Sequence, residues 1–307
     1  MQTVSQLSLY GHYEIFNILK KLHLNKKLPN KIILSGMKGI GKCTLAYHLI
    51  NYILSLDEDC SYDIKNYRIN IENKSYKLVQ NKSSPNFYLV DVEEGKKNID
   101  ISQIRDLIAS LNKSSFNSKP RFVLIDNIHL LNLNSVNALL KVIEEPNDNI
   151  HFILINSNSR VLQTLKSRCI NFNIFLSKKE VIETTNKLID ENIYELFNNE
   201  LINYYESPGQ ILKILKVSED FDIDIKNLSL KNFLSFMIKN KFYKKDKMVV
   251  ELIYSFIEIY FRKNINIKNI ELLTFYNFFL KKIINTKIYN LDEDSLFIEF
   301  EDRILNG

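Results

Sequence analysis

The sequence predicts an α/β fold in its first half, a parallel sheet built around a phosphate-binding loop, followed by an all-helical second half. Three observations carry that prediction. Short, nearly continuous apolar runs alternate with helix-period segments up to about residue 175. A G-x-x-x-x-G-K sequence stands between the first of these runs and a helical pattern. Beyond about residue 176 the β-type runs cease and polar residues recur at helical spacing.

The elements follow in order. Ile32-Ile33-Leu34, Phe87-Tyr88-Leu89-Val90, Phe122-Val123-Leu124-Ile125 and Phe152-Ile153-Leu154-Ile155 read as strands buried on both faces of a parallel sheet. Leu45 to Leu54 reads as the helix after the first strand. Residues 57–86 are polar and poorly patterned, which predicts a loop or small insertion. Ile101, Ile104, Ile108 and Leu111 repeat at helical spacing, as do Val136, Leu139, Leu140 and Ile143, a helix that Pro146 stops. Strand–helix alternation of this kind implies three layers with right-handed crossovers. Ile170 to Ile174 alternates, as an edge strand does. Ser207-Pro208-Gly209 is a breaker cluster. Glu251, Ser255, Glu258 and Arg262, then Glu271, Thr274, Asn277 and Lys281, leave one narrow polar stripe on each of two otherwise apolar helices. Both are expected to be mostly buried in a bundle, their aromatics serving as core. The basic run Lys239, Lys241, Lys244, Lys245 and Lys247 reads as a solvated connection.

Composition narrows the class. Hydrophobic residues are 45% and charged residues 25% of 307, the profile of a globular protein, and 7 glycines with 5 prolines exclude collagen-like or linker-rich chains. A net charge of +5 is too mild to argue for nucleic acid by itself. Cys43, Cys60 and Cys169 lie far apart, so neither a disulfide framework nor a zinc signature is present and no bound zinc is expected. The first residues, Met1 to Ser5, carry no secretory pattern, and the longest apolar stretch, Met248 to Phe261, is interrupted by Glu251 and Glu258. A cytoplasmic protein without membrane contact is the expectation.

The chemistry concentrates in two places. In Ser35-Gly36-Met37-Lys38-Gly39-Ile40-Gly41-Lys42-Cys43-Thr44, the glycines let backbone N–H groups turn toward a phosphate. The helix N-terminus favours the anion, and Lys42 neutralises β- and γ-phosphates. Gly36, Gly39, Gly41, Lys42, Cys43 and Thr44 are thus candidate ATP-binding residues, with Mg²⁺ if nucleotide is bound. Cys43, however, replaces the hydroxyl that ligates Mg²⁺, and a neutral thiol is a poor ligand for that hard cation. The second place is Asp126, closing the strand Phe122–Ile125 where phosphoryl-transfer enzymes hold their metal. Its neighbour is Asn127, whose amide cannot take a proton, so general-base help is missing. His129 is read as a satisfied histidine rather than a site residue.

Ser135-Val136-Asn137-Ala138-Leu139-Leu140-Lys141-Val142-Ile143-Glu144-Glu145-Pro146 resembles the N-A-L-L-K-x-x-E-E-P helix of bacterial clamp-loader subunits, and Ser167-Arg168-Cys169 resembles their S-R-C motif. With Gly36–Thr44, Asp126 and Ser207-Pro208-Gly209, the resemblance runs in order from residue 10 to about 215. Within that AAA+ family the likeness is greatest to the delta-prime type lacking a zinc module, since only Cys60 stands where other members carry four cysteines. It implies an AAA+ domain over 1–175, a small helical lid over 176–217 and a helical collar over 218–307. It also implies that Arg168 reaches in trans to ATP on a neighbouring subunit, where a planar guanidinium suits the developing charge. Expected partners are tau/gamma-type and delta-type subunits, the sliding clamp, and primed DNA through the complex.

The losses at Cys43 and Asn127 fit a stator whose own ATPase is weak or absent. Gln210 and Lys213 stand where motor relatives often place an arginine, which weakens nucleotide sensing by the lid. The rivals are an ATP-hydrolysing motor of the same complex and a small-molecule P-loop kinase. The kinase reading leaves the S-R-C and E-E-P motifs unexplained.

Overall fold

The computed structural model describes residues 5–93, 95–113, 117–144, 149–157, 163–202, 207–265 and 270–306. Glu145 and Pro146 of the E-E-P motif, and Met1 to Val4, lie outside the described residues. The chain forms two compact units, one of residues 1–188 with 206–209 and one of residues 189–205 with 210–307. The boundaries drawn from the sequence at 175 and 217 therefore do not coincide with this division.

In the first unit, strands β1 (Lys31–Ser35), β2 (Phe87–Val90), β3 (Arg121–Ile125), β4 (Ile150–Asn156) and β5 (Ile170–Asn173) form one sheet in the order β2-β3-β4-β1-β5. Every pairing is parallel. β5 is an edge strand, as its alternation predicts. Helices α1 (Tyr13–Leu24), α2 (Lys42–Leu54), α3 (Lys74–Gln80), α4 (Ile101–Leu111), α5 (Leu133–Glu144), α6 (Gln163–Lys166) and α7 (Lys178–Ile189) complete this part of the chain.

The period-2 geometry of a strand divides the core between two faces. Ile32, Leu34, Leu124, Ile153 and Ile155 pack with Phe16 of α1 and Leu45 and Leu49 of α2. Their neighbours Ile33, Val123, Ile125 and Leu154 pack on the other face with Ile104 and Leu107 of α4 and Val136, Leu139 and Ile143 of α5. Strands covered on both sides must be apolar throughout, and β3 is buried at every position. The polar stretch 57–86 is more ordered than expected. It contains α3, whose N-cap Asn73 accepts from the Tyr76 amide at 2.8 Å.

A buried polar pair lies beneath this insertion. His48, fully buried on α2, donates from Nε2 to the Gln6 carbonyl at 3.1 Å and accepts the Tyr62 hydroxyl at Nδ1, 2.8 Å. Burial pulls its pKa from 6.5 to about 4, against the opposing carbonyl of Gln6. Between those values the unfolded chain binds a proton that the folded chain refuses. Stability is therefore expected to fall as pH drops from 6.5 to 4, by about 3 kcal/mol from this group. Urea titrations of wild type and His48→Gln across that window test it, and parallel losses in the two would assign the effect elsewhere.

The second unit holds α8 (Ile193–Leu196), α9 (Asn199–Ile202), the body of α10 (Pro208–Asp220), α11 (Leu230–Lys239), α12 (Lys247–Asn264), α13 (Ile270–Tyr289) and α14 (Glu293–Phe300). Its core is aromatic, with Phe256, Phe261, Phe279 and Phe300 fully buried. Helix α12 is buried along most of its length, as expected. Helix α13 is not: Phe279, Ile283 and Thr286 face the core, while Leu273, Phe278, Ile284 and Ile288 are exposed. The narrow polar stripe counted polar residues and could not show which apolar side lacked a neighbour. In the basic run, Lys239 pairs with Glu301 and Lys244 with Asp294, while Lys245 lies over the Phe221 and Phe242 rings. No described helix is long and apolar enough to cross a membrane.

Candidate nucleotide site

The loop between β1 and α2 lies at the carboxyl edge of the sheet, where open α/β sheets hold their ligands. Gly41, at φ 101°, is the N-cap of the 13-residue α2, and no side chain caps that helix end. A side chain at this φ would be strained, and its absence leaves the first amides of α2 open to an anion. The buried Lys42 spans the loop and donates to the Gly36 carbonyl at 2.7 Å and the Met37 carbonyl at 2.6 Å. Burial lowers its pKa to about 8, although Asp126 and Cys43 oppose the shift. A phosphate would restore the charge that burial discourages.

Cys43 and Asp126, placed by different elements, meet. The Cys43 thiol faces the Asp126 carboxylate and favours its charged form, and that carboxylate accepts the Asn127 amide at 2.8 Å. Burial first, and then the nearby Asp91 carboxylate, raise the pKa of Asp126 despite Asn127, Cys43 and Lys42. Thr44, the next residue on α2, is half-buried. His129 is exposed in a short 3-10 turn, its pKa lowered by partial desolvation and by Lys38 and Lys42. Among the described residues no three His, Cys, Asp or Glu side chains converge as metal ligands.

Three further residues belong to this site, and sequence reasoning passed over them. Asp91 follows β2, and its Oδ1 accepts from Asn127 Nδ2 at 3.1 Å, so an acidic group stands one strand away from the position where Asn127 lacks one. Asn156 ends β4. Its carbonyl accepts from the Gly36 amide at 3.2 Å, and its buried Oδ1 has no hydrogen-bond partner among the described residues. His12 caps α1 in the left-handed region, and its Nε2 donates to the Ile40 carbonyl at 2.6 Å. The available signals were a polar residue closing an apolar strand, for Asp91 and Asn156, and Gly11-His12 ahead of an amphipathic helix.

The breaker cluster Ser207-Pro208-Gly209 lies on the loop itself. Ser207 Oγ donates to the Lys38 carbonyl at 2.8 Å, and the Gly209 amide to the Gly39 carbonyl at 3.0 Å. A Cβ on Gly209 would lie 2.7 Å from the Gly39 Cα, so this contact requires glycine. Lys213, farther along α10, pairs with Glu251 in the second unit.

Arg168 follows α6 and stands apart from these groups. Its Nε and Nη2 lie 2.9 and 2.7 Å from Glu144 Oε1, and its Nη1 donates to the Thr164 carbonyl at 3.0 Å. Cys169 beside it is partly buried in the α4/α5 face, which raises its pKa to about 11 and makes it a poor nucleophile.

A family profile described as "DNA polymerase III, delta subunit" matches residues 11–177, more than half of the chain. The chain belongs to the DNA polymerase III delta subunit family. The delta-prime-like kinship expected from the motifs is borne out by this match and by the curated relatives. A delta-prime subunit of Pseudomonas aeruginosa is 32% identical over 45% of this chain and 40% of its own length. One from Buchnera aphidicola subsp. Schizaphis graminum is 24% identical over 86% and 82%. Among solved structures, a DNA polymerase III gamma subunit-related protein of Thermotoga maritima superposes with a TM-score of 0.51 at 17% identity, over 92% of this chain and 96% of that one. That likeness concerns the fold, and it agrees with the expected AAA+ α/β domain followed by helices.

Proposed function

We propose that this chain is a stator-type clamp-loader subunit of DNA polymerase III, with weak or absent ATP hydrolysis of its own. In this reading it assembles with tau/gamma-type and delta-type subunits to open the sliding clamp and place it on primed DNA. Arg168 acts in trans on ATP held by a neighbouring motor subunit. The observation that carries the reading is Cys43 at the start of α2, beside Asp126, in the place of a hydroxyl. These are the two positions from which a motor would ligate Mg²⁺, and one of them supplies a sulfur where the ion needs oxygen.

The donor set suits the phosphates of ATP better than the metal. Lys42, the amides around Gly39 and Gly41, and the uncapped start of α2 would hold the phosphates, with Asp126 the remaining oxygen ligand for Mg²⁺. ATP bound here would contribute charge that orders the loop, while Lys42 keeps its proton and Asn127 has no capacity to take one from water. The exposed Leu273, Phe278, Ile284 and Ile288 of α13 support a packing role for the second unit, since apolar helical faces of this kind are covered in obligate assemblies.

The rival motor reading rests on Asp91, whose carboxylate stands close to Asn127. Turnover by the purified chain separates the two. Negligible ATP hydrolysis is expected, together with co-purification with the other loader subunits. Steady-state turnover above roughly 1 s⁻¹, an ordinary enzyme rate, would favour the motor.

A further inference from the structure

We propose that Glu144 is a positioning residue for Arg168, holding the guanidinium in the orientation from which it acts on the neighbouring site; this rests on the trans-acting reading of Arg168 given above. Glu144 closes α5 and Arg168 follows α6, so two separate elements converge on one guanidinium. One carboxylate oxygen, Glu144 Oε1, takes Nε at 2.9 Å and Nη2 at 2.7 Å. On the other side Nη1 donates to the Thr164 carbonyl at 3.0 Å and lies 3.4 Å from Ser167 Oγ. All three nitrogens of the fork are thereby tied to the chain, yet the side chain remains 36% exposed and the Glu144 side chain 49%.

An arginine is a long, rotamer-rich side chain, and ordering it only at the moment of contact costs rate. Here the cost falls on folding instead. The carbonyl of Thr164 fixes the near end and the carboxylate of Glu144 fixes the plane, because a guanidinium with Nε and Nη2 on one oxygen has lost its freedom to spin. Ion pairs of this exposure contribute about 0–1 kcal/mol, so removing the contact is expected to change fold stability little. The contact is also the point where the last described residue of α5 meets the S-R-C segment, two stretches 24 residues apart in the chain.

The test uses the reconstituted loader with Glu144→Ala, Glu144→Gln, Arg168→Ala and the double variant Glu144→Ala/Arg168→Ala, with assembly checked by gel filtration. Glu144→Ala is expected to lower kcat at the site facing this subunit by about 3- to 10-fold, with KM for ATP unchanged. Glu144→Gln, which keeps an acceptor oxygen, is expected to recover part of that loss. The double variant should be no worse than Arg168→Ala alone, because the carboxylate acts only through the arginine. Full or raised activity in Glu144→Ala, or a multiplied loss in the double variant, overturns the positioning role. If Arg168→Ala lowers activity and Glu144→Ala does not, only this inference fails. If Arg168→Ala has no effect, the trans-acting reading fails and takes this one with it.

Discussion

Arg168→Ala is expected to leave the subunit folded and the complex assembled while sharply reducing DNA-stimulated ATP hydrolysis at one motor site. The guanidinium is bonded to Glu144 and the Thr164 carbonyl, on a side chain 36% exposed. Removing those bonds should cost stability no more than about 1 kcal/mol. The catalytic loss is of another order, because a guanidinium facing developing phosphoryl charge contributes roughly 10³–10⁵ in rate. In the proposed assembly one copy of this subunit faces one neighbour, so total hydrolysis should fall only by that site's share. Clamp loading should fall further if, as the proposed function implies, the motor sites act in concert. ATPase and loading assays on reconstituted complex, wild type against variant, measure both. Full activity in an assembled variant complex would make Arg168 structural. If assembly itself fails, Arg168→Lys keeps the charge without the planar fork and separates the two roles.

Gly36→Ala should be the most damaging conservative change near the nucleotide loop. A Cβ at Gly36 would lie 2.2 Å from the Ile174 carbonyl oxygen, a distance at which backbone must move. Movement is opposed on both sides. The Gly36 amide donates to the Asn156 carbonyl at 3.2 Å, and the Ile174 amide donates to the Ser35 carbonyl at 2.7 Å. These bonds tie β1 to β4 and to the chain leaving β5, so relief of the clash breaks sheet hydrogen bonds. Overpacking of this kind costs about 3 kcal/mol, which for a unit of this size is a fall of roughly 6–12 °C in Tm. Thermal denaturation of the two proteins gives the answer, and a variant melting within about 2 °C of wild type would show that the strand ends yield more easily than their hydrogen bonds suggest.

The sheet was legible because its inner strands β1, β3 and β4 are buried on both faces, and that demand writes continuous apolar runs into the sequence. Ile32–Leu34, Phe87–Val90, Phe122–Ile125 and Phe152–Ile155 all lie in strands, but β2, read as covered on both faces, is an edge on which only Val90 is buried, and the alternating run at Ile170 forms the opposite edge. The phosphate loop was legible because its geometry needs glycine at particular places, with Gly39 and Gly41 at positive φ. Residues 57–86 were not, because α3 draws its start from the cap at Asn73 rather than from an apolar period.

By itself, then, the sequence determined the parallel sheet, the loop that opens α2, and the replacement of a metal-ligating hydroxyl by Cys43 and of an acidic group by Asn127, since each follows from residue type at a fixed spacing. Only the tertiary structure decided which distant groups meet: Cys43 with Asp126, Asn127 with Asp91, Ser207 and Gly209 with the loop, and Glu144 with Arg168. It likewise decided that α13 leaves Leu273, Ile284 and Ile288 exposed, where the polar stripe had predicted burial. The physical reason is the same in both cases. Local periodicity records which side of an element avoids water, whereas a side chain's partner is set by how separate elements pack.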